Sequence, residues 1–323
     1  MLPLALVTGA SGFVGSHLVE ELLDSGWRVR CLVRATSSLQ WLPSGRVELA
    51  RGDVTDAAAL GDAVRGVAIV FHLAGVTSAS RADDYRRVNV YGTRLVCDAI
   101  TTRNPDAPVV LCSSLAAAGP ALEGRPLTEA DPARPITAYG ASKLEAERVL
   151  EASGVFHAIV RPPAVYGPRD RDVLAAFRLA ARGIAVRVGP RDQWLSMIYV
   201  ADLVRGLLGA ATHGVGRGTY YVSGGQYPWD EIVRNIGVAV DCPVRVVRVP
   251  RPIVYAAALA DRAAARVTGS KPLLTPDRVR DLAQHDWRCD DTRARRELDY
   301  TPAVSLADGM QRTAQWYREE GWL

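Results

Sequence analysis

The sequence predicts an α/β fold: a doubly wound parallel sheet, followed by a smaller, mainly helical C-terminal lobe that would hold a substrate. Three observations lead there. Up to about residue 162, short apolar runs alternate with segments whose apolar residues recur at helical spacing. A glycine-rich turn, GASGFVG at 9–15, joins the first apolar run to the first helical segment. After RPPAVYGP at 161–168 the alternation weakens, proline and glycine become frequent, and helical patterns dominate. Short apolar strands separated by helices imply βαβ units and a parallel sheet covered on both faces.

The elements follow in order. LALVT (4–8) is an unbroken apolar run that fits a fully buried strand. FVGSHLVEELLDSG (13–26) has helical spacing and Gly26 as its stop. VRCLV (29–33) and VELARGD (47–53) read as the next strands, and 56–65 as a helix. AIVFHLAG (68–75) is a strand, and 82–103 is expected to be one long helix. PVVLCSS (108–114) is a strand, 139–153 a helix and FHAIVRP (156–162) a strand. These place a nucleotide-binding part at 1–165. The substrate lobe is expected at 166–194 and 227–323, with 195–226 returning to the main sheet through a strand at TYYVSG (219–224).

Composition narrows the function classes. The chain has 323 residues, 48% hydrophobic and 23% charged, with a net charge of +4. Its 37 arginines and two lysines are dispersed among 35 acidic residues, with no basic stripe of the kind a nucleic-acid binder concentrates. The five cysteines (Cys31, Cys97, Cys112, Cys242, Cys289) are far apart and form no CxxC pair. Free buried thiols, and hence a cytoplasmic setting, are expected. The histidines show no close pairing, so no metal site is expected, and no Gly-x-Ser-x-Gly hydrolase elbow appears. The opening MLPLALVTGASG lacks a basic region before its short apolar part, so it reads as a buried strand and not a signal peptide. The longest later apolar stretch, IVYAAALADRAAARV (253–267), is broken by Asp261 and Arg262, too early for a membrane span. It reads as an amphipathic helix whose alanine-rich face either shapes a substrate channel or touches a membrane surface.

The glycine turn carries the first chemistry. Gly9 permits the tight turn, Gly12 lets the backbone approach a pyrophosphate, and Gly15 lets helix and strand pack closely. The helix N-terminus then offers its free N–H groups to the phosphates. A strand before and a helix after supply the context that a glycine triplet alone lacks. Together with the alternating elements this makes the sheet Rossmann-type.

The Gly-x-x-Gly-x-x-Gly spacing is matched, in order, by GDV (52–54), HLAG (72–75), VNVYGT (88–93), SS (113–114) and YGASK (139–143). RPPAVYGP (161–168), MIYVADL (197–203) and DDTRARRELDYTP (290–302) continue the series. In these motifs the chain resembles the extended, epimerase-like branch of the short-chain dehydrogenase/reductase superfamily, over almost its whole length. The resemblance implies an NAD(P)-dependent enzyme acting on a small-molecule CH–OH or keto group. It also implies a cofactor site of Gly9, Ser11, Gly12, Phe13, Val14 and Gly15, then Arg34, Asp53 and Val54. Leu73, Ala74, Gly75, Tyr139, Lys143, Pro162 and Val165 complete that implied site. Asp53 matches the family residue that meets the adenine ring; a loop or helix-cap aspartate is the other reading. Relatives commonly dimerise through two long helices, here near 91–103 and 140–153, so a homodimer is an open expectation.

The second strand bears on the choice of cofactor. An acid at its end would bind ribose hydroxyls and favour NAD. Here it ends CLVRATSS, with Arg34 and no acid. A guanidinium there can pair with a 2′-phosphate, so the expectation is NADP(H), with NAD(H) open. A solvent-facing arginine is the alternative.

Tyr139 and Lys143 lie at i and i+4, on one face of a helix. A tyrosine near pKa about 10 is a poor base at neutral pH, and a neighbouring ammonium plus an oxidised nicotinamide would bring it down. A compact ammonium suits two ribose hydroxyls and a phenolate, whereas a planar guanidinium is too large. That is a reason for an arginine-rich chain to spend a lysine here. Ser114, 25 residues upstream of Tyr139, matches the family hydroxyl that orients the substrate oxygen, with Ser113 as the fallback. Tyr139, Lys143 and Ser114 are thus the candidate catalytic residues. Asn89 matches a family asparagine, with packing and a proton relay both open.

Three reactions compete within the resemblance. Sugar dehydratases carry a Thr-Asp-Glu type motif where this chain has Ser113, Ser114 and Leu115, and no acid is available there. Nucleotide-sugar epimerases show polar diphosphate-binding residues where this chain has Ala164, Leu195, Ser196 and Met197. Enzymes similar to 3β-hydroxysteroid dehydrogenases and dihydroflavonol reductases act on apolar alcohols and ketones, and the LVR strand end, RPP and PLLTPDRVR (272–280) fit them better. The expected substrate is therefore hydrophobic, with Val76, Thr77, Ser114, Ala116, Pro163, Ala164 and Tyr166 as pocket candidates by motif position. An epimerase or dehydratase holding NAD tightly, and a non-catalytic NADP(H)-binding regulator, are the alternatives.

Overall fold

A computed structural model describes every residue except 1, 80, 123, 217 and 269–274. Its centre is a seven-stranded, all-parallel sheet. The strands are β1 (Leu4–Thr8), β2 (Arg28–Val33), β3 (Glu48–Arg51), β4 (Ile69–His72), β5 (Val109–Cys112) and β6 (His157–Arg161). β7 (Ala164–Tyr166), β8 (Ile184–Val188) and β9 (Trp194–Tyr199) lie outside it, and β10 (Gly218–Tyr221) is the seventh member. The order is β10-β6-β5-β4-β1-β2-β3. The chain reverses direction across the sheet between β1 and β4, and their carboxyl ends open the crevice in which doubly wound proteins bind ligands.

The inner strands β1, β4 and β5 are buried on both faces because they are apolar at nearly every position, whereas the edge strand β3 has no buried residue. Helices α1 (Phe13–Asp24), α2 (Ala57–Ala63) and α3 (Ala82–Tyr85) follow the first, third and fourth strands. The expected single helix over 82–103 is not continuous. After α3 the backbone runs as a π-helix over Arg86–Tyr91 before α4 (Gly92–Arg103). Hydrophobic period alone does not reveal such a widened turn, which is frequent at functional positions. α5 (Leu115–Ala118) and α6 (Ala138–Ala152) follow β5. Thr137 caps α6, its side chain accepting from the Gly140 N–H at 3.1 Å.

Beyond β7 the chain forms α7 (Leu174–Ala180), α8 (Val200–Gly209), α9 (Trp229–Ala239), α10 (Arg251–Thr268), α11 (Pro276–Leu282), α12 (Thr292–Glu297) and α13 (Leu306–Glu319). This part also holds strands that the sequence reading passed over: β11 (Gly225–Pro228), β12 (Arg245–Val249) and β13 (Asp286–Trp287). β12 pairs in parallel with β8, and β9 gathers β7, β11 and β13. β8 was illegible because its alternation is inverted: Ile184 and Val186 face outward, whereas Arg187 is buried. A core of Tyr166, Phe177, Ile232, Ile236, Met310 and Tyr317 holds α7, α9 and α13 together.

Candidate active site

The glycine turn at the end of β1 is built by steric need. Gly9 has φ +72°, and a Cβ there would lie 2.7 Å from the Ala74 nitrogen, so β1 and the loop after β4 touch backbone to backbone. A Cβ at Gly15 would lie 2.1 Å from the Gly9 carbonyl oxygen, which makes Gly15 the contact of α1 with the turn. Gly12 is different: it is exposed, and a Cβ would meet only that same oxygen, at 3.2 Å. It is the N-cap of α1 with no side-chain cap, and no acid stands in the first helical turn. Ser11, Phe13 and Val14, all half-buried, surround it. A helix N-terminus with bare N–H groups and no competing carboxylate fits a dinucleotide pyrophosphate.

A hydrogen-bonded chain crosses from β1 to β4 beneath this turn. Thr93 Oγ1 donates to the Asn89 carbonyl at 2.6 Å, so its lone pairs must accept from His72 Nε2–H at 3.0 Å. That leaves His72 Nδ1 bare to accept from Thr8 Oγ1 at 2.7 Å, and Thr8 Oγ1 accepts from the Ala74 N–H at 3.1 Å. His72 is fully buried, and burial together with Lys143 pushes its pKa down to about 3. It is a neutral strut that fixes Leu73, Ala74 and Gly75, the residues expected against the cofactor.

Asn89, inside the π-helical turn, grips Val76 from both sides. Its Oδ1 accepts from the Val76 N–H at 2.8 Å, and its Nδ2 donates to the Val76 carbonyl at 3.2 Å and to Ser142 Oγ at 2.9 Å. Ser142 Oγ in turn donates to the Tyr139 carbonyl at 2.7 Å. Asn89 therefore fastens the loop after β4 to α6.

Tyr139, Lys143 and Ser114 meet beside this clamp. Lys143 is buried, and its Nζ donates to the Cys112 carbonyl at 2.7 Å. The same Nζ lies 3.8 Å from where a Gly75 Cβ would stand. Burial lowers the Lys143 pKa, opposed by Cys112 and Glu147. Ser114 caps α5, accepting from the Ala116 N–H at 3.1 Å, and its side chain lies near enough to Tyr139 to act on that phenol's pKa. Gly140 lets α6 come this close, since a Cβ there would lie 2.2 Å from the Ala116 carbonyl oxygen. Burial raises the Tyr139 pKa well above its ordinary value, and the Ser114 side chain opposes the rise. The expected lowering by Lys143 is not among the main protein contributions.

The two serines separate cleanly. Ser113 Oγ donates to Glu147 Oε1, inside a buried network in which Arg161 donates to both Glu147 oxygens at 2.9 and 2.6 Å. Ser113 faces the back of α6, and Ser114 faces Tyr139.

Residues 5–223 match the NAD dependent epimerase/dehydratase family. The chain belongs to that family. It is 33% identical to a ceramide reductase of Caulobacter vibrioides, covering 98% of this chain and 95% of the relative. It is 34% identical to a 3 beta-hydroxysteroid dehydrogenase/Delta 5-->4-isomerase of Mycobacterium tuberculosis, covering 66% of this chain and 61% of that one. Among solved structures, MoeE5 in complex with UDP-glucuronic acid and NAD superposes with a TM-score of 0.75 at 26% identity, covering 98% of this chain and 99% of that one. The family assignment bears out the expected superfamily and Rossmann-type fold.

Other predicted positions of this epimerase/dehydratase family member scatter more. Arg34 is exposed just beyond β2, and its charge acts on Asp53. Burial pushes the Asp53 pKa up, but hydrogen bonds from the Thr55 N–H and hydroxyl, with Arg34 and Arg87, bring it below its usual value. Val54 is buried beneath Gly92, and Val165 pairs with Ile198 in the small sheet. Thr77 and Ala164 are exposed, Val76 and Ala116 half-buried, and Pro162 and Pro163 buried. Tyr166, at 2% exposed, packs on Tyr199 and fills the space over Gly309.

Sequence reasoning gave no role to three further residues, two of them beside the candidate site. The Tyr85 ring lies 6.1 Å from that of Tyr139, and its hydroxyl accepts from the Ala79 N–H at 3.0 Å. Asp277 Oδ2 accepts from the Ala138 N–H at 3.0 Å, so α11 is tied to the first turn of α6, which carries Tyr139 and Lys143. Buried Asp202, in the MIYVADL motif, accepts from the Ala303 and Val304 N–H groups, both at 3.1 Å, and fastens the C-terminal tail. The segments MIYVADL and PLLTPDRVR contain Asp202 and Asp277 without marking their roles, and Tyr85 carried no local signal.

Proposed function

We propose that this protein is an oxidoreductase of the CH–OH class that uses NADP(H) in preference to NAD(H) on a lipophilic ketone or alcohol. The observation that carries the proposal is the meeting of the Tyr139 phenol with Ser114, one helical turn from the buried Lys143 ammonium. When bound, the nicotinamide supplies or accepts the hydride. Tyr139 gives its proton to the carbonyl oxygen in reduction and takes it back in oxidation. Ser114 hydrogen-bonds the same oxygen and holds it in reach of the phenol. Lys143, whose Nζ donates to the Cys112 carbonyl, would hold the ribose hydroxyls of the bound cofactor. Arg34 offers its guanidinium to a 2′-phosphate. The protein's own groups hold the Tyr139 proton more tightly than usual, so further positive charge beside the phenol would help it both to give up that proton and to act as a base. The lipophilic substrate class is supported by the ceramide reductase and hydroxysteroid dehydrogenase relatives.

The test is NADPH consumption with a panel of lipophilic ketones, sphingolipid and steroid ketones included, for wild type and Tyr139→Phe. Turnover that falls by about 10²-fold or more in the variant, with NADPH binding intact, is the expected result. Conversion of UDP-sugars without any ketone turnover would overturn it in favour of the epimerase reading. Binding of NADPH with no turnover of either class would favour a regulator.

A further inference from the structure

We infer that the outer face of the α10–α11 pair is a docking surface for an anionic lipid bilayer. The rotation of α10 is fixed by its inner stripe: Val254 and Ala258 are buried against Val188, Val279 and Ala283. The adjoining stripe of Pro252, Tyr255, Ala256 and Leu259, at spacing i, i+3, i+4, i+7, is thereby turned outward. With α11 it lines an open groove of about 430 Å³. Ile253 is 59% exposed, Tyr255 38%, Leu259 49% and Leu282 42%. Single exposed apolar side chains are ordinary; four on neighbouring turns of two packed helices mark an interaction surface.

Charge identifies the occupant. From 242 to 260 the chain has three arginines, Arg245, Arg248 and Arg251, and no acid. All three are exposed, and among the described residues none lies within ion-pair distance of a carboxylate. By contrast Arg280, on the groove's other wall, is paired with Asp277 at 2.7 Å. Arg251 also donates to the Ala283 carbonyl, while Arg245 and Arg248 stand exposed on β12, the strand that leads into α10; guanidinium groups without a carboxylate partner near exposed apolar side chains complement lipid phosphates above an acyl layer. Among the described residues no helix is long and apolar enough to cross a membrane, so the mode is surface docking and not spanning. α11 joins the two regions: Val279 and Ala283 line the groove, while Asp277 holds the start of α6. Docking would thus set the active-site side of the lobe near the bilayer.

The inference is independent of the catalytic proposal, because its test needs no turnover. The full chain is sedimented with vesicles of phosphatidylcholine and of phosphatidylcholine containing phosphatidylglycerol. Binding to the anionic vesicles is expected, weakened by added salt. Leu259→Glu with Ile253→Glu should reduce it about tenfold or more. Arg245→Gln and Arg248→Gln should each reduce it about fivefold. These side chains are exposed, so an unchanged unfolding midpoint confirms that each variant folds. No sedimentation with either vesicle would overturn the inference, and so would variants that bind as wild type does. A dimer seen by light scattering, abolished by Leu259→Glu in a protein that ignores vesicles, would assign the face to a second copy instead.

Discussion

Removing the Glu147 carboxylate tests whether α6 is fastened from behind. Glu147 lies one turn beyond Lys143 on α6 and is buried, as is Arg161 at the end of β6. Arg161 grips both carboxylate oxygens, Ser113 donates to one of them, and Arg161 Nη1 reaches the Tyr221 hydroxyl at 3.4 Å. One carboxylate thus ties α6 to the ends of β5 and β6, with β10 alongside. Glu147→Leu leaves a guanidinium buried without its counter-charge, which costs about 3–5 kcal/mol; Arg161→Met strands the carboxylate at similar cost. In the double variant both desolvation penalties disappear together, so it should be less destabilised than the sum of the singles by about 2–3 kcal/mol. Urea unfolding of the four proteins measures the cycle, from midpoints at a common slope. A Glu147→Leu cost under about 1 kcal/mol, or a cycle that simply adds, would refute the picture of a buried, mutually dependent pair.

Gly15→Ala should abolish tight NADPH binding and cost about 1–3 kcal/mol in urea, because its Cβ would stand 2.1 Å from the Gly9 oxygen. Arg34→Asp should weaken NADPH about 10- to 100-fold and leave NADH nearly unchanged, read by nicotinamide fluorescence. Asp281 gives a pH test: burial, with Asp277 adding and Arg278 opposing, raises its pKa from 3.8 to about 7. A folded-state pKa above the unfolded one contributes stability that is fully present below the unfolded value and lost as pH rises through the folded one. Asp281→Asn should therefore stabilise the protein at pH about 8, by on the order of 1 kcal/mol or more, and change little near pH about 4.

The sheet was legible because buried parallel strands are written as unbroken apolar runs, as LALVT and IVFH are. The glycine turn was legible because its three glycines fall within seven residues between a strand and a helix, although the close approach at Gly9 is to Ala74, far along the chain. What stayed hidden depends on pairing over long sequence distances. Val186 and Val247 sit side by side, yet the exposed face they build looks apolar and so reads as neither strand surface nor core. Tyr166 was placed at the pocket by its motif, but its environment is set by Gly309, far along the chain. Asp277 and Tyr85 reach the site from separate helices, and no local period marks them. Ser113 and Ser114 are adjacent hydroxyls at the end of one strand, and only the packing of α6 decides which faces Tyr139.

The lysine at position 143 draws these threads together. Its ammonium occupies a slot bounded by the Cys112 carbonyl at 2.7 Å and the Gly75 backbone, with the uncharged His72 beneath. A neutral imidazole adds no second positive charge to this buried slot, and Glu147 one turn away favours the charged amine. A guanidinium is planar and wider, and it cannot place one donor on Cys112 while keeping others free along the same edge. The surrounding groups therefore specify both the charge and the compactness of residue 143. The pKa pattern is set by burial at both groups, which raises the Tyr139 pKa and lowers that of Lys143, the latter opposed by Cys112 and Glu147. Under the proposed function, positive charge bound beside such a site would lower the Tyr139 pKa again and so ease proton transfer in either direction.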